Sequence, residues 1–323
     1  MSSTFRVLSL SGGGIRGVYT ASFLAKVEDL TGKRIADHFD LVVGTSTGGL
    51  IALAMGLGQS PASIRDFYLE KGSAIFPKAS RLRRLFSGNG WTKPTYESEG
   101  LKRSLQGRFG ADQLLGSSRV RLVVNAIYAE GSQPRCFKTR HHSDYCRDHL
   151  VPAWEVGMAT AAAPTYFPAF RASDGRHHID GGLWANCPVM VGLVEAIGIL
   201  GHQPRDLDVL SVGTCRHETS VDVSALNGGL LQYFVVNRRR IHEIILEAQR
   251  SATMNMAQLL IGRERLMEID SVVEPGRFEM DDTSVQQLGD LRALGESLAE
   301  TKADEIKCRF LKTLAAPFTP IPC

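Results

Sequence analysis

One pattern constrains the fold of this chain more than any other. Short apolar segments run directly into glycine-rich turns and then into segments with helical periodicity: FRVLSL (5–10) precedes SGGGIRG, and LVVGT (41–45) precedes STGG. RLVVNAIYA (121–129) and LDVLSVGT (207–214) are further apolar segments of strand length. Strands that alternate with helices form a mainly parallel sheet covered on both faces. The sequence therefore predicts an α/β fold in which the turns after neighbouring strands lie side by side.

The domain organisation follows from where this alternation stops. The 323 residues contain neither an internal repeat nor a clear linker, and after about residue 224 the pattern is helical. We therefore expect an α/β core over residues 1–214 and a helical C-terminal extension over residues 215–323 that packs on the core. An apolar face on this helical tail would suit self-association into a homo-oligomer.

Charge and cysteine usage exclude several classes of function. A net charge of +3 argues against a nucleic-acid-binding protein. The six cysteines include no C-x-x-C pair, so we expect no metal site, and we expect the thiols to stay reduced. No apolar run reaches the roughly 20 residues that cross a bilayer, and no leader peptide is evident. We expect a cytoplasmic protein that contacts a membrane only from its surface.

Ser46 lies in the first motif, Gly44-Thr45-Ser46-Thr47-Gly48, where a predicted strand meets a predicted helix. In a G-x-S-x-G turn the glycines let strand and helix approach closely, which exposes the serine hydroxyl at the end of the sheet. The N-terminus of the following helix also favours developing negative charge. A structural glycine-rich turn is the competing interpretation, but the sequence of strand, turn and helix favours a nucleophile.

The SGGGIRG loop after the first strand is the second motif. Gly12, Gly14 and Gly17 match the dinucleotide-binding spacing G-x-G-x-x-G, which also needs an acidic residue at the end of the next strand. Asp40 precedes that strand instead. The alternative is an oxyanion hole, because consecutive glycines can direct unhindered backbone N–H groups at one point. We favour the oxyanion hole because Ser46 follows the next predicted strand.

Asp180 is the third candidate. It ends the short segment HHID and precedes Gly181 and Gly182. An aspartate that caps a turn is the competing interpretation. As a catalytic group, Asp180 would deprotonate Ser46 and return the proton to the leaving oxygen. Because the reference pKa of aspartate is ~3.9, burial would have to raise the pKa of Asp180 for this role.

The positions of the histidines bear on a rival arrangement, the catalytic triad of the α/β-hydrolases. In that triad the histidine follows the acid along the chain. The candidates are His202, His217 and His242. His202 follows a helical segment and His242 lies within one, whereas His217 comes after the strand-like LSVGTCR. We therefore expect a Ser–Asp dyad and keep a Ser–His–Asp triad with His217 as the alternative.

Together, SGGGIRG, GTSTGG and DGG resemble the patatin-like phospholipases in their order and spacing, as does ATAAAPTYFPAF (159–170). The resemblance covers residues 5–214 and implies a three-layer α/β sandwich, a patatin-like catalytic core that hydrolyses acyl esters of lipids without metal or organic cofactor. It makes Ser46 the nucleophile in the Gly44–Gly48 turn and Asp180, in the Asp-Gly-Gly motif, its partner. The oxyanion loop would comprise Gly12, Gly13, Gly14, Arg16 and Gly17, with Gly13 and Gly14 as the donors.

A narrower resemblance is carried by CFKTRHHSDY (136–145) and LMEID (266–270). These are similar to bacterial patatin-like effectors of cyclic-oligonucleotide-based antiphage signalling, in which a cyclic dinucleotide such as cyclic GMP-AMP activates degradation of the cell's own membrane. This implies a pocket for two phosphates, which guanidinium groups bind well. The candidate ligands are Lys138, Arg140 and His141 in one cluster and Arg238, Arg239 and Arg240 in another. Solvated surface charge is the competing interpretation for each cluster.

The basic segment 78–108, with Phe86 and Trp91, offers a contact with the membrane. A lid is the competing interpretation for its non-periodic part, 77–98. Arg81, Arg83 and Arg84 would lie on anionic headgroups, which contribute about 1 kcal/mol per basic residue near the surface. We therefore expect an enzyme that takes membrane phospholipids as substrate and acts peripherally on the inner membrane. A non-catalytic nucleotide-binding module built on SGGGIRG is the rival from a different class, and the complete set of three motifs argues against it.

Overall fold

The computed structural model describes residues 4–77, 93–218 and 238–322, with residues 238–242 described by their backbone alone. The residues for which we predict a membrane contact include Arg81, Arg83, Arg84, Phe86 and Trp91, which lie outside these ranges. Within them, no helix combines the length and the apolar character that a membrane span requires.

The strands and helices alternate along the chain as the sequence predicts. The strands are β1 (Phe5–Leu10), β2 (Leu41–Thr45), β3 (Arg121–Tyr128), β4 (Gln133–Lys138), β5 (Phe170–Arg171), β6 (His177–Asp180), β7 (Leu207–Val212), β8 (Arg216–His217), β9 (Leu266–Ile269) and β10 (Val272–Val273). The helices are α1 (Gly17–Thr31), α2 (Thr47–Gly56), α3 (Pro61–Ile75), α4 (Glu99–Phe109), α5 (Ala153–Ala161), α6 (Gly182–Ala185), α7 (Val189–Val194), α8 (Arg238–Ile261) and α9 (Val285–Phe310). A turn of π-helix, Glu195–Ile199, continues α7.

An eight-stranded sheet lies at the centre of the molecule. Strands β9, β7, β1, β2 and β3 lie side by side and parallel. β4 and β6 pair with β3 in the antiparallel sense, and β5 pairs with β6. Every residue of β1 and β2 is buried, as expected of parallel strands that are covered on both faces. The predicted α/β fold with a mainly parallel sheet is confirmed.

Side chains that alternate along each strand fill two apolar cores, one on each face of the sheet. Leu8 and Leu10 of β1 pack into a core built with α1, α2, α3, α5 and α9. Phe5 and Val7 of the same strand pack against α7 and α8. The two helical layers and the sheet between them form the three-layer sandwich.

The ends of the helices follow capping chemistry. Ser60 and Ser284 precede α3 and α9, and their hydroxyl oxygens accept hydrogen bonds from the backbone N–H three residues on, which satisfies a donor that the helix leaves free. Gly32 ends α1 with φ of 64°, a left-handed conformation that glycine adopts without steric cost. These local signals fix where the elements begin and end.

The C-terminal part contributes more than helices. β9 pairs with β7 and extends the central sheet, and β8 pairs with β10. α9 packs along α1, and Gly295 permits the close approach, because a Cβ there would lie 2.5 Å from the carbonyl oxygen of Tyr19. The helical interpretation of this region missed β9, since a strand of four residues carries little periodic signal. The boundary at residue 214 stays a prediction, and the pairing of β9 with β7 crosses it.

Candidate active site

Ser46 occupies a strained turn between β2 and α2. Its φ of 55° and ψ of −125° are unusual for a residue with a Cβ and are typical of functional sites. Glycines on both sides make the turn sterically feasible. A Cβ at Gly44 would lie 2.4 Å from the carbonyl oxygen of Gly48, and a Cβ at Gly48 would lie 2.1 Å from that of Leu10. The predicted role of Gly44 and Gly48, close approach of strand and helix around Ser46, matches this geometry.

Thr160 and Asn125 form hydrogen bonds that hold the turn around Ser46 in place. The Ser46 amide donates to Thr160 Oγ1 at 2.9 Å, and Thr160 Oγ1 donates to the carbonyl oxygen of Asn125 at 2.6 Å. The Asn125 side-chain Nδ2 donates to Thr45 Oγ1 at 3.0 Å. Sequence reasoning assigned no role to either residue. The available signals were an asparagine within the apolar strand RLVVNAIYA and a threonine within the ATAAAPTYFPAF segment.

Asp180 reaches Ser46 because β2 and β6 meet end to end along β3. β2 runs parallel to β3 and ends with Thr45 opposite Asn125, whereas β6 runs antiparallel and ends with Asp180 opposite Ala126. β4 occupies the other edge of β3 over these positions, so β2 and β6 share one edge. The two strands therefore end at consecutive residues of β3, which places the side chains that follow them together.

The Ser46 hydroxyl donates a hydrogen bond of 2.6 Å to Asp180 Oδ2. The other carboxylate oxygen, Oδ1, accepts from the Gly182 amide at 2.7 Å. Gly181 lets the chain turn beneath the carboxylate, since a Cβ there would lie 2.5 Å from the carbonyl oxygen of Asn125. Burial raises the pKa of Asp180 to about 6, although both hydrogen bonds act to lower it. This is the upward shift that the sequence argument required of a base.

The SGGGIRG loop presents two free amides beside Ser46. In the part of the chain that the structure describes, the N–H groups of Gly13 and Gly14 have no protein acceptor. Both residues line the same cavity as Ser46. The Gly12 amide, in contrast, donates to the carbonyl oxygen of Asn186 at 3.1 Å, and the Gly17 amide donates within its helical turn. The structure thus narrows the five predicted loop residues to Gly13 and Gly14 as available donors.

Arg16 is a structural member of this loop. It is buried, and its guanidinium donates to the carbonyl oxygen of Cys215 at 3.0 Å and to that of Gly13 at 3.4 Å. Burial lowers the pKa of Arg16, and the neighbouring Asp270 opposes that effect. Arg16 therefore ties the glycine loop to the segment after β7.

A cavity of about 640 Å³ opens beside the Ser46–Asp180 pair. Apolar side chains from α2, α3 and α4 and from the segment after α5 form much of its wall. A charged part of the wall comes from β8 and α8 and includes Arg216, His217, Glu243, Glu247 and Arg250. A cavity with an apolar wall and a charged part suits a substrate that has both a hydrocarbon chain and a polar group.

His217, the candidate for a triad, lines this cavity but does not stand between Ser46 and Asp180. Its Nδ1 lies 2.9 Å from Glu243 Oε1. His202 packs its ring against Phe5, with centroids 4.1 Å apart. The side chain of His242 lies outside the described residues.

The first predicted phosphate cluster forms a buried ionic network. Lys138 Nζ donates to Glu195 Oε2 at 2.6 Å, and His141 Nε2 lies 2.9 Å from Glu195 Oε1. Arg140 donates to the carbonyl oxygen of Pro322 at 3.0 Å. A phosphate at this place would compete with Glu195 for Lys138 and His141. The second cluster, Arg238, Arg239 and Arg240, begins α8, and its side chains lie outside the described part.

Comparison with known proteins identifies the family. A family model described as patatin-like phospholipase matches residues 8–193. The chain belongs to this family. The predictions of a patatin fold and of a phospholipase enzyme are confirmed, whereas the roles of individual site residues stay predictions.

Curated relatives of this phospholipase span most of its length. This chain is 34% identical over 303 residues to a cGAMP-activated phospholipase of Pseudomonas aeruginosa. The aligned region covers 92% of this chain and 88% of that relative. This chain is also 28% identical over 350 residues to a cGAMP-activated phospholipase of Vibrio cholerae. That alignment covers 97% of this chain and 96% of the relative. A calcium-independent phospholipase A2-gamma of Oryctolagus cuniculus is 29% identical over 229 residues, which span 67% of this chain and 29% of that protein.

Proposed function

We propose that this patatin-like phospholipase releases fatty acids from membrane phospholipids through a Ser46–Asp180 dyad. The observation that carries the proposal is the direct 2.6 Å hydrogen bond from Ser46 to Asp180 Oδ2 at the wall of a partly apolar cavity. Because this hydrogen bond is direct, none of the described histidines stands between the two groups. A carboxylate in this position can accept the serine proton without a relay.

The reaction follows from this geometry. Ser46 Oγ attacks the ester carbonyl carbon while its proton passes to Asp180 Oδ2, and the carbonyl oxygen becomes an oxyanion facing the free amides of Gly13 and Gly14. The intermediate collapses to an acyl-Ser46, and Asp180 gives the proton to the departing lysophospholipid oxygen. Water then attacks the acyl group, with Asp180 accepting its proton and returning it to Ser46 as the fatty acid leaves.

The raised pKa of Asp180 fits this double role. A carboxyl group with a pKa of about 6 is ionised at neutral pH and is a stronger base than an ordinary aspartate. A catalytic group is most effective when its pKa lies near the working pH. Burial at the end of β6 therefore supports proton transfer in both directions.

A triad esterase that uses His217 is the second candidate. It is favoured by one observation, the pairing of His217 with Glu243 in the wall of the same cavity. It predicts that His217→Ala abolishes hydrolysis. The dyad predicts that His217→Ala keeps most of the turnover.

Activation by a cyclic dinucleotide is the finer part of the proposal. Two relatives with high coverage of this chain are named cGAMP-activated phospholipases, which supports cyclic GMP-AMP as the activator and a role in bacterial antiphage defence at the inner membrane. For the phosphates we favour Arg238, Arg239 and Arg240, because Lys138 and His141 already bind Glu195.

The test measures fatty acid release from mixed phospholipid vesicles with and without cyclic GMP-AMP. We expect release by the wild type only with the nucleotide, and none by Ser46→Ala at any nucleotide concentration. Release that does not depend on nucleotide would keep the phospholipase and remove the activation. Nucleotide binding without release by the wild type would favour the non-catalytic binding module.

A further inference from the structure

The carbonyl oxygen of Gly12 is held by two side chains from outside the glycine loop. Thr214, in the segment after β7, donates its hydroxyl to this oxygen at 2.8 Å. The Asn186 side-chain amide lies 3.4 Å from it. Thr214 is the stronger of the two contacts, because a hydrogen bond weakens as it lengthens beyond about 3.2 Å.

The orientation of the Gly12 carbonyl fixes the orientation of the next amide. In a planar trans peptide, the C=O of one residue and the N–H of the next point in opposite directions. A Gly12 carbonyl that is turned towards Thr214 therefore turns the Gly13 N–H away from Thr214. Gly13 lines the cavity that contains Ser46, and its N–H has no acceptor among the described residues.

We infer that Thr214 is a positioning residue of the oxyanion hole, which holds the Gly13 N–H towards the reacting carbonyl through the Gly12 peptide. The inference rests on the proposed function, since it requires Ser46 as nucleophile and the Gly13 amide as oxyanion donor. Glycines on both sides of this peptide leave it free to rotate unless something outside the loop restrains it. Donors contribute most to catalysis when they are oriented before the reaction begins.

Thr214 also packs against the loop, and the test must separate this from the hydrogen bond. A Cβ built on Gly13 would lie 2.6 Å from Thr214 Cβ, so the side chain fills space as well as donating. Thr214→Val keeps the shape and removes the donor, whereas Thr214→Ser keeps the donor and removes a methyl group. The two substitutions therefore report on different properties of the same residue.

Thr20 provides the matched control. It is fully buried, and its hydroxyl donates at 2.7 Å to the carbonyl oxygen of Gly213, one residue before Thr214. Thr20→Val removes a buried hydroxyl–carbonyl bond in the same region without touching the Gly12 peptide. A general loosening of the region would affect the Thr20 and Thr214 variants alike.

The experiment measures kcat and KM for a soluble short-chain p-nitrophenyl ester with cyclic GMP-AMP present, and the rate at which a fluorophosphonate inactivates each protein. We expect Thr214→Val to lower kcat about tenfold, less than the 10²–10³-fold loss on removing an oxyanion donor outright. Its KM should stay within about twofold, because the ester binds before charge develops on the carbonyl oxygen. Fluorophosphonate inactivation should slow in parallel, Thr214→Ser should restore both rates, and Thr20→Val should leave both unchanged.

Three outcomes overturn the inference: an unchanged kcat in Thr214→Val, an equal loss in Thr20→Val, or a change confined to KM. Thr214→Ala, which lacks the hydroxyl but cannot overpack, answers the same question if the valine variant does not fold. Ser46→Ala distinguishes a failure of the proposed function from a failure of the role inferred for Thr214. If it retains hydrolysis, the proposed function itself fails, and if it is inactive while Thr214→Val is fully active, only the role of Thr214 fails.

Discussion

Two buried carboxylates, Asp180 at the end of β6 and Glu195 in the turn after α7, differ in their partners and in the direction of their pKa shifts. Asp180 lies beside Ala126 on one edge of β3, and its partners, the Ser46 hydroxyl and the Gly182 amide, are neutral. Glu195 binds Lys138, which lies beside Val123 on the other edge. Burial raises the pKa of Asp180 to about 6. Burial also acts to raise the pKa of Glu195, but hydrogen bonds from His141, Lys138 and Tyr145 lower it to about 2.

The difference shows that partners, rather than burial, decide what a buried carboxylate does. With neutral donors a carboxylate retains affinity for a proton and can act as a base. With a cation it stays ionised, and its function is to hold other groups in place. The same fold thus holds one buried acid among neutral donors and another beside a cationic partner.

Asp180→Asn should have the largest effect on activity. The side chain keeps its shape and its acceptor for the Gly182 amide but cannot take the serine proton, so we expect kcat to fall about 10³-fold. The measurement is fatty acid release under activating conditions. Loss of the buried negative charge should leave the variant at least as stable as the wild type at pH 8, which thermal unfolding checks. A variant that is inactive because it is unfolded would not support the role of Asp180.

Glu195→Gln should have the largest effect on stability. It leaves the partly buried ammonium of Lys138 without its counter-charge, and removing one partner of a buried ion pair costs about 3 kcal/mol. Denaturant unfolding at pH 7 measures this loss, and we expect the kcat of the folded fraction to stay close to that of the wild type. A stable but inactive Glu195→Gln protein would mean that Glu195 takes part in catalysis. Its role would then not be the structural one that the comparison with Asp180 requires.

The dependence on pH should separate the two carboxylates. The proposed function makes Asp180 the base, and its pKa is raised to about 6. We therefore expect kcat to rise about tenfold between pH 5 and pH 8. The matched control is Asp270, whose pKa burial also raises to about 6 but which binds the amides of Cys215 and Ser271. Asp270→Asn should keep the rise, and its disappearance there would assign the ionisation to Asp270.

Stability should respond to pH with opposite signs at the two sites. The folded-state pKa of Asp180 is raised, so its contribution is greatest below its unfolded pKa and is lost as the pH rises towards 6. The folded-state pKa of Glu195 is lowered, so its contribution is complete above its unfolded pKa of about 4.5 and is lost as the pH falls towards 2. The measurement is the unfolding free energy of each variant across this pH range. The wild type should gain stability relative to Asp180→Asn as the pH falls from 6 to 4, and lose stability relative to Glu195→Gln as the pH falls towards 2.

Tyr145→Phe should give the smallest effect. Its hydroxyl donates to Glu195 Oε1 at 2.7 Å and accepts from Lys138 Nζ at 2.7 Å. Loss of each such bond costs about 1 kcal/mol. We expect a small drop in stability by denaturant unfolding and no change in vesicle hydrolysis. A drop as large as that of Glu195→Gln would mean that Tyr145, and not Lys138, keeps Glu195 ionised.

Sequence reasoning was most informative where a short motif carries a steric requirement of the backbone. The turn around Ser46 needs glycine at both flanks for steric reasons, and that requirement is visible in five letters. It was weaker for charged residues. The resemblance to cyclic-dinucleotide effectors made Lys138 and His141 candidate phosphate ligands, which stays a prediction. Their contact with Glu195 could not be predicted, because Glu195 lies more than fifty residues further along the chain.

The sequence by itself determined the alternation of strands and helices, the two glycine turns and the acid in the Asp-Gly-Gly motif, because each depends on local periodicity or on a local backbone requirement. Only the tertiary structure decided which groups meet. The pairing of Ser46 with Asp180 depends on β2 and β6 ending at consecutive residues of β3. Among the described residues the Gly13 amide has no acceptor, whereas the Gly12 amide donates to the Asn186 carbonyl oxygen; both facts depend on loops far apart in the chain. Hydrogen bonds act over a few ångströms in space whatever the separation in sequence, and so the partners of each site residue emerged only when the chain was folded.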